Sequence, residues 1–305
     1  MDRRKVLKGI GMSAALSSFN LPILKASNTE DSLKIAHITD VHIRPDKEIE
    51  AQFSRCLHHI QSNPVHPEVI FNGGDCIGDA LKRSKSEVKK QWEAWNGVIK
   101  NDRSLKMINC IGNHDVWGAG DRNDKLYGKN WAQDELSLDR PYYSYDSKGW
   151  HIIVLDSTHT KSDDSWYTAQ LDEAQFEWLK KDLSAVSEDT HVMVFSHIPI
   201  LAACAFFDGD NEKSGDWIIP GAWVHIDARK IVELFYQYPQ VKLCISGHIH
   251  LLDEVIYNGV TYMCNGAVSG NWWKPTPYHQ TDKGYSLIEL YPNGAFSRRY
   301  VNYQV

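Results

Sequence analysis

Asp40-Val41-His42 and His248-Ile249-His250 each set two metal-binding side chains two residues apart. On an extended backbone that spacing turns both to the same side, so the two pairs can grip an ion from opposite loops. Three more clusters carry related donors: Gly74-Asp75, Gly112-Asn113-His114-Asp115 and Ser196-His197. Asp40, His42, Asp75, Asn113, His197, His248 and His250 supply carboxylate, amide and imidazole groups but no thiolate, a set that suits Mn, Fe or Zn. Seven donors are too many for one tetrahedral ion. They match two five- or six-coordinate divalent ions sharing a carboxylate, with Asp75 as the bridge.

All five clusters follow stretches that read as strands. Leu33–Thr39, Glu68–Phe71, Leu105–Cys110, 191–195 and 241–245 are short β-rich runs, with helices expected at 48–61, Ser84–Lys100, 172–185 and 226–238. Tyr142–Tyr145 and Trp150–Leu155 read as a hairpin. Toward the C-terminus, Glu254–Tyr257, Val260–Cys264, Tyr285–Leu290 and Ala295–Val301 are strands joined by Asn258-Gly259 and Asn293-Gly294 turns. Helix-linked strands followed by hairpins predict an α/β fold with two sheets face to face and helices outside. In such folds ligands collect at the C-terminal ends of the strands, where the five clusters sit. No linker or repeat interrupts the pattern, so 27–305 reads as a single domain.

The first 26 residues read as an address rather than structure. Arg3-Arg4 leads into Lys5-Val6-Leu7-Lys8, an uncharged weakly apolar stretch from Gly9 to Leu24, and Lys25-Ala26. This resembles a twin-arginine export signal, in preference to a frayed basic tail or an ordinary secretory signal, and implies a periplasmic location. Cleavage there removes five basic residues and one acid, leaving 28 basic, 38 acidic and net −10. That sign disfavours a nucleic-acid polymer as partner. No later segment is apolar enough to span a membrane. The six cysteines lack C-x-x-C spacing and are expected as buried free thiols.

Taken in order, D-x-H, G-D, G-N-H-D, a lone His and G-H-x-H resemble the calcineurin-like metallophosphoesterase superfamily, across roughly residues 33 to 291. The resemblance implies a four-layer sandwich of two mixed β-sheets flanked by helices. It assigns Asp40, His42, Asp75 and His250 to one ion, and Asp75, Asn113, His197 and His248 to the other. It implies hydrolysis of a small phosphodiester by in-line attack of a metal-bridging hydroxide, in a site of about +1 net charge. His114, beside a ligand but not one itself, is the expected acid for the leaving group, with Asp115 orienting it. A phosphomonoesterase, a pyrophosphohydrolase and a non-catalytic binding module are the alternatives.

Details within the motifs narrow the branch. Purple acid phosphatases carry a tyrosine where Gly78 stands, and the Ser/Thr phosphatase run G-D-x-x-D-R-G loses its arginine in Gly74–Ala80. His197-Ile198-Pro199 and Asn113-His114-Asp115 resemble the small bacterial phosphodiesterases of cyclic nucleotides or glycerophosphodiesters. Arg44 is a candidate phosphate contact. Asp156, Ser157 and His159 are expected either behind the ligands or in a plain loop turn. The long 198–224 segment, with Phe206, Phe207, Trp217 and Trp223, reads as an aromatic cap. Ser269–Trp273 could supply a second wall, with Trp217 and Trp273 as the substrate-binding candidates. Packing of these aromatics onto the body is the competing expectation.

Overall fold

The computed structural model describes residues 31–161, 167–213 and 215–304, so the expected export signal at 1–26 lies outside the described residues. In chain order the elements begin β1 (Leu33–Ile38), α1 (Lys47–Gln61), β2 (Val69–Asn72), α2 (Lys85–Asp102), β3 (Lys106–Asn109), α3 (Asn130–Leu136), β4 (Tyr143–Ser147) and β5 (Trp150–Leu155). They continue with β6 (Thr158–Thr160), β7 (Tyr167–Ala169), α4 (Glu173–Ala185), β8 (His191–Ser196), β9 (Glu212–Lys213), β10 (Asp216–Trp217) and α5 (Ala228–Tyr236). The chain ends with β11 (Val241–Ser246), β12 (Asp253–Tyr257), β13 (Val260–Cys264), β14 (Tyr285–Leu290) and β15 (Phe296–Val301).

Two mixed sheets carry the structure, ordered β15-β14-β1-β2-β3 and β12-β13-β11-β8-β5-β4. β1, β2 and β3 run parallel, as do β5, β8, β11 and β13, while β14, β15, β12 and β4 pair antiparallel with their neighbours. Alternation along each inner strand explains the layering. Leu33 and Ile35 of β1 face the space between the sheets, with Met193 and Phe195 of β8. Ala36 and Ile38 face outward onto α1 and α2, and Val192 and Val194 onto α4 and α5. Strands buried on both faces read as unbroken apolar runs. The result is the expected four-layer sandwich.

The helices form for local reasons as well. Asp46 caps α1 by accepting the N–H groups of Glu48 and Ile49 at 2.8 and 3.2 Å. Ile49, Phe53, Cys56, Leu57 and Ile60 then recur at helical spacing along its buried face. Ser84 and Glu87 form a capping box at the start of α2, whose Trp95 stacks on Phe53 with centroids 5.2 Å apart. Burying each such side chain contributes roughly 1.5–3 kcal/mol. The Asn258-Gly259 turn has both residues left-handed, at φ 51° and 82°, as a two-residue hairpin requires.

α3 and the small β6–β7 and β9–β10 hairpins add to the elements the sequence pattern predicts, and the helix expected at 226–238 is shorter, Ala228–Tyr236. All six cysteines are buried and free. Among the described residues no helix is long and apolar enough to cross a membrane.

His151 ties β5 to its neighbours, with Nδ1 2.7 Å from Asp146 on β4 and Nε2 2.9 Å from Asp182 on α4. Burial opposes its charging, but the bonds to Asp182 and Asp146 outweigh this and raise its pKa above the ordinary value. A raised folded pKa stabilises fully below the unfolded value and ceases to do so as pH climbs through the folded one. His151→Gln is therefore expected to lower Tm by a few degrees at pH 5.5 and by clearly less at pH 9, measured by thermal unfolding. An equal loss at both pH values would contradict the pairing.

Candidate metal centre

The donors occupy the loops that follow β1, β2, β3, β8 and β11, at the C-terminal ends of parallel strands. Five of them hold left-handed backbones: Asp40 at φ 54°, His42 at 48°, Asp75 at 52°, His248 at 73° and His250 at 61°. Non-glycine residues in that region cost on the order of 1–3 kcal/mol each and persist only where the surroundings impose them. The imposing contacts are visible. Asp40 N–H donates to Gly74 O at 3.0 Å, His42 N–H to Asp75 O at 2.9 Å, and Val268 N–H to Thr39 O at 3.0 Å.

Two glycines permit the approach. A Cβ on Gly112 would lie 2.1 Å from Asp75 Oδ1, and one on Gly247 would lie 2.0 Å from Thr39 Oγ1 and 2.5 Å from Asp40 Oδ2. The glycines of G-N-H-D and G-H-x-H thus make room for the two carboxylates.

Each carboxylate divides its oxygens. Asp40 Oδ2 accepts from Thr39 Oγ1 at 2.6 Å and from His248 N–H at 2.8 Å. Its Oδ1 is buried without a hydrogen-bond partner and lies 3.4 Å from His250 Nε2 and 3.8 Å from His42 Nε2. Asp75 Oδ1 accepts His114 N–H at 2.7 Å. Its Oδ2 sits between the two groups, 3.3 Å from His197 Nε2 and 3.7 Å from His42 Nε2. Asn113 Oδ1 lies 3.0 Å from His197 Nε2, and His248 Nδ1 3.2 Å from the same atom. Asp40, His42 and His250 converge as one donor group, and Asp75, His197 and His248 as another.

These residues fit two divalent cations. The inward oxygens Asp40 Oδ1 and Asp75 Oδ2, on carboxylates 0% and 1% exposed, face imidazole nitrogens, and opposed nitrogens such as His42 Nε2 and His250 Nε2 stand only 3.1 Å apart. Without cations a proton must compensate. Burial opposes charging His197, yet Asp75 and Asp40 outweigh it and push its pKa up to about 9. Burial and the charged His197 together push His248 down to about 3. Burial would raise Asp40 and Asp75, but His250 and His197 respectively hold them below the usual carboxylate range.

The expected partner of His114 needs correction. Asp115 turns away and clasps the backbone, accepting N–H groups of Cys76 at 2.8 Å, Ile77 at 3.3 Å and Gly112 at 2.9 Å. Burial and the nearby Asp75 push its pKa up to about 7. Asp79 faces His114 instead, with Oδ1 3.5 Å from Nδ1. Burial opposes charging of His114, but Asp75 and Asp79 outweigh it and raise its pKa, with Asp115 adding to the same side through its charge alone. Asp79 stands within the G-D-x-x-D run, the signal that would have found it.

The substrate-binding candidates separate. Arg44 is exposed and shares a surface cleft with Asp79. Trp217 is exposed, on the β9–β10 hairpin, edge-on to Phe206 at 5.2 Å. Trp273 is turned inward: its indole N–H donates to Val41 O at 2.8 Å and it packs on the α1–α2 core. Its neighbour Trp272 lies on the site, stacked at 3.8 Å on His42. Ser157 Oγ accepts Ile198 N–H at 3.0 Å, steadying the turn after His197, and Asp156 pairs with Lys129. His37 is a buried core histidine whose pKa burial pushes down to about 3.

Two donor groups joined by a carboxylate, on this sandwich, define a metal-dependent hydrolase of phosphoric esters. The chain belongs to the calcineurin-like phosphoesterase family, whose model matches residues 33–252, and members use a dinuclear divalent metal centre. A probable cyclic nucleotide phosphodiesterase of Synechococcus sp. is 25% identical over 272 residues, covering 87% of this chain and 90% of the relative. The 3',5'-cyclic adenosine monophosphate phosphodiesterase CpdA of Escherichia coli is 22% identical, covering 75% and 74%. In fold the chain resembles a dimetal phosphatase from Danio rerio, with TM-score 0.61, 13% identity and coverage of 89% and 99%. It also resembles GAP50, an anchor in the inner membrane complex of Plasmodium, with TM-score 0.55, 16% identity and coverage of 90% and 85%.

Cations displace the proton that His197 holds below about pH 9, so uptake must release protons. Isothermal titration with Mn²⁺ in buffers of differing ionisation enthalpy is expected to show proton release and affinity rising from pH 6 to pH 9. Affinity independent of pH over that range would contradict the electrostatics.

Proposed function

We propose that this phosphoesterase hydrolyses a small phosphodiester, with a 3',5'-cyclic nucleotide as the leading substrate. The observation that carries it is His114, poised at the edge of two donor groups that share Asp75, in a chain whose near-full-length relatives are named cyclic nucleotide phosphodiesterases. Asp40, His42, Asp75 and His250 would hold one ion, and Asp75, Asn113, His197 and His248 the other, with Mn, Fe or Zn as the candidate metals. Bound there, divalent ions supply Lewis acidity: they neutralise phosphoryl oxygens and bring the pKa of water near neutrality.

The remaining work falls to side chains. Asp79 faces Nδ1 of His114 and favours the charged ring, leaving Nε2 to donate to the departing alkoxide. Arg44, beside Asp79 on the rim, is a candidate contact for a non-bridging phosphate oxygen. We further propose export through the twin-arginine-like segment Arg3–Lys8, supported by the uncharged stretch that follows it.

Purified protein reconstituted with Mn, Zn or Fe would be assayed on cyclic AMP, bis-p-nitrophenyl phosphate, p-nitrophenyl phosphate and a nucleotide sugar. Diesters are expected to lead, and chelator to abolish turnover. Faster hydrolysis of p-nitrophenyl phosphate than of either diester would overturn the diester reading. His114→Ala is expected to lower kcat about 10²- to 10⁴-fold with metal content unchanged. Asp79→Asn should lower kcat in the same direction, whereas Asp115→Asn should act chiefly on Tm. Full activity in both His114→Ala and Asp79→Asn would remove the acid role.

A further inference from the structure

Metal-binding histidines are normally oriented through their second ring nitrogen, which donates to a carbonyl or carboxylate behind the site. Three of the four histidines here follow that pattern. His197 Nδ1 meets Gly73 O at 2.7 Å, His250 Nδ1 meets Gly270 O at 2.7 Å, and His248 Nε2 meets Ala222 O at 2.9 Å. His42 does not: its Nε2 points to Asp40, Asp75 and His250, and its Nδ1 is buried without a hydrogen-bond partner among the described residues.

In place of that bond, His42 has an indole against its face. Trp272 stacks on the His42 ring with centroids 3.8 Å apart and planes 28° apart. The same indole lies 5.1 Å from His250 at 28°, and edge-on to His114 at 5.2 Å. Its backbone is bent to do so. Trp272 and Trp273 are consecutive left-handed residues, at φ 53° and 67°, a conformation bulky side chains rarely take. The bend sends the two rings to different tasks. Trp273 N–H grips Val41 O at 2.8 Å and His42 O at 3.2 Å, while Trp272 covers the His42 imidazole. Upstream, Ser269 Oγ donates to Asp40 O at 2.7 Å, so 268–273 runs along the whole D-x-H loop.

We propose that Trp272 is the positioning residue for His42, replacing by ring stacking the hydrogen bond that the other three histidines receive, and so governs retention of the ion held by Asp40, His42 and His250. This rests on the dinuclear reading above. Trp272 touches no reacting atom in this role, and 38% of it is exposed, so its outer face is open to solvent. Three properties follow. Loss of the indole affects one ion and not its neighbour. An aromatic replacement restores what an aliphatic one of similar bulk does not. The metal-free fold is little changed, because Trp273 and the backbone bonds of 268–273 still hold the loop.

The test is a Mn²⁺ titration and a graded chelator dialysis of wild type, Trp272→Ala, Trp272→Leu and Trp272→Phe, with metal content per chain and metal-free Tm read for each. Wild type binding two equivalents supports the centre itself; fewer than two overturns both the centre and this inference. With two bound, Trp272→Ala is expected to weaken one equivalent about 10- to 100-fold and leave the other unchanged. Trp272→Leu should behave like the alanine variant and Trp272→Phe should recover most of the loss, all with metal-free Tm close to wild type. Retention of both ions in Trp272→Ala, equal loss of both, full rescue by leucine, or a matching collapse of metal-free Tm would each overturn the assignment while leaving the dinuclear reading intact.

Discussion

Two carboxylates withdrawn from water, Asp40 and Asp75, set the terms for everything around them. Burial opposes the charge on both, and Asp75 further opposes that on Asp40, so only concentrated positive charge makes the arrangement tenable. In the metal-free protein imidazoles and one proton on His197 offset part of the cost. A pair of divalent ions would supply the remaining positive charge. The left-handed backbones at five donor positions, the glycines at 112 and 247, and the carbonyls behind His197, His248 and His250 all serve to bring those two groups within reach of one another. The strain stored there is sustained by the layers beneath, where parallel strands buried on both faces leave their ends little freedom.

The donors were legible because each sits within one or two residues of another, on turns that directly follow apolar strands. The fold was legible for a related reason: Ser84 with Glu87, Asp46 before α1 and Asn258-Gly259 are local signals whose physics acts within a few residues. α3 leaves little trace in the sequence because Lys129 at its N-cap makes no side-chain cap, so Trp131, Ala132 and Leu136 define it through packing on the core beneath α1 and α2. The errors around the site share one cause. Asp115 is next to His114 in sequence, yet the short helical turn of Asn113–Asp115 points it back to the Cys76, Ile77 and Gly112 amides. Trp272 and Trp273 are likewise neighbours sent in different directions by a left-handed pair that no propensity foretells.

Architecture does not by itself specify activity. On the reading proposed here, what would distinguish a hydrolase is the full set of donors together with His114 beside them. We propose that substrate choice lies further out, in the rim that carries Arg44 and Asp79 and in the segment from Ile198 to Val224. That segment touches the centre through Ala222 O, while its exposed Phe206 and Trp217 contact each other.

Crystals grown with Mn²⁺ and recorded at a wavelength where manganese scatters anomalously would test the central claim most directly. Two anomalous peaks roughly 3.5–4 Å apart, one bounded by Asp40, His42 and His250 and the other by Asn113, His197 and His248, with Asp75 between them, are the expected result. A single peak, or peaks away from these seven side chains, would contradict it.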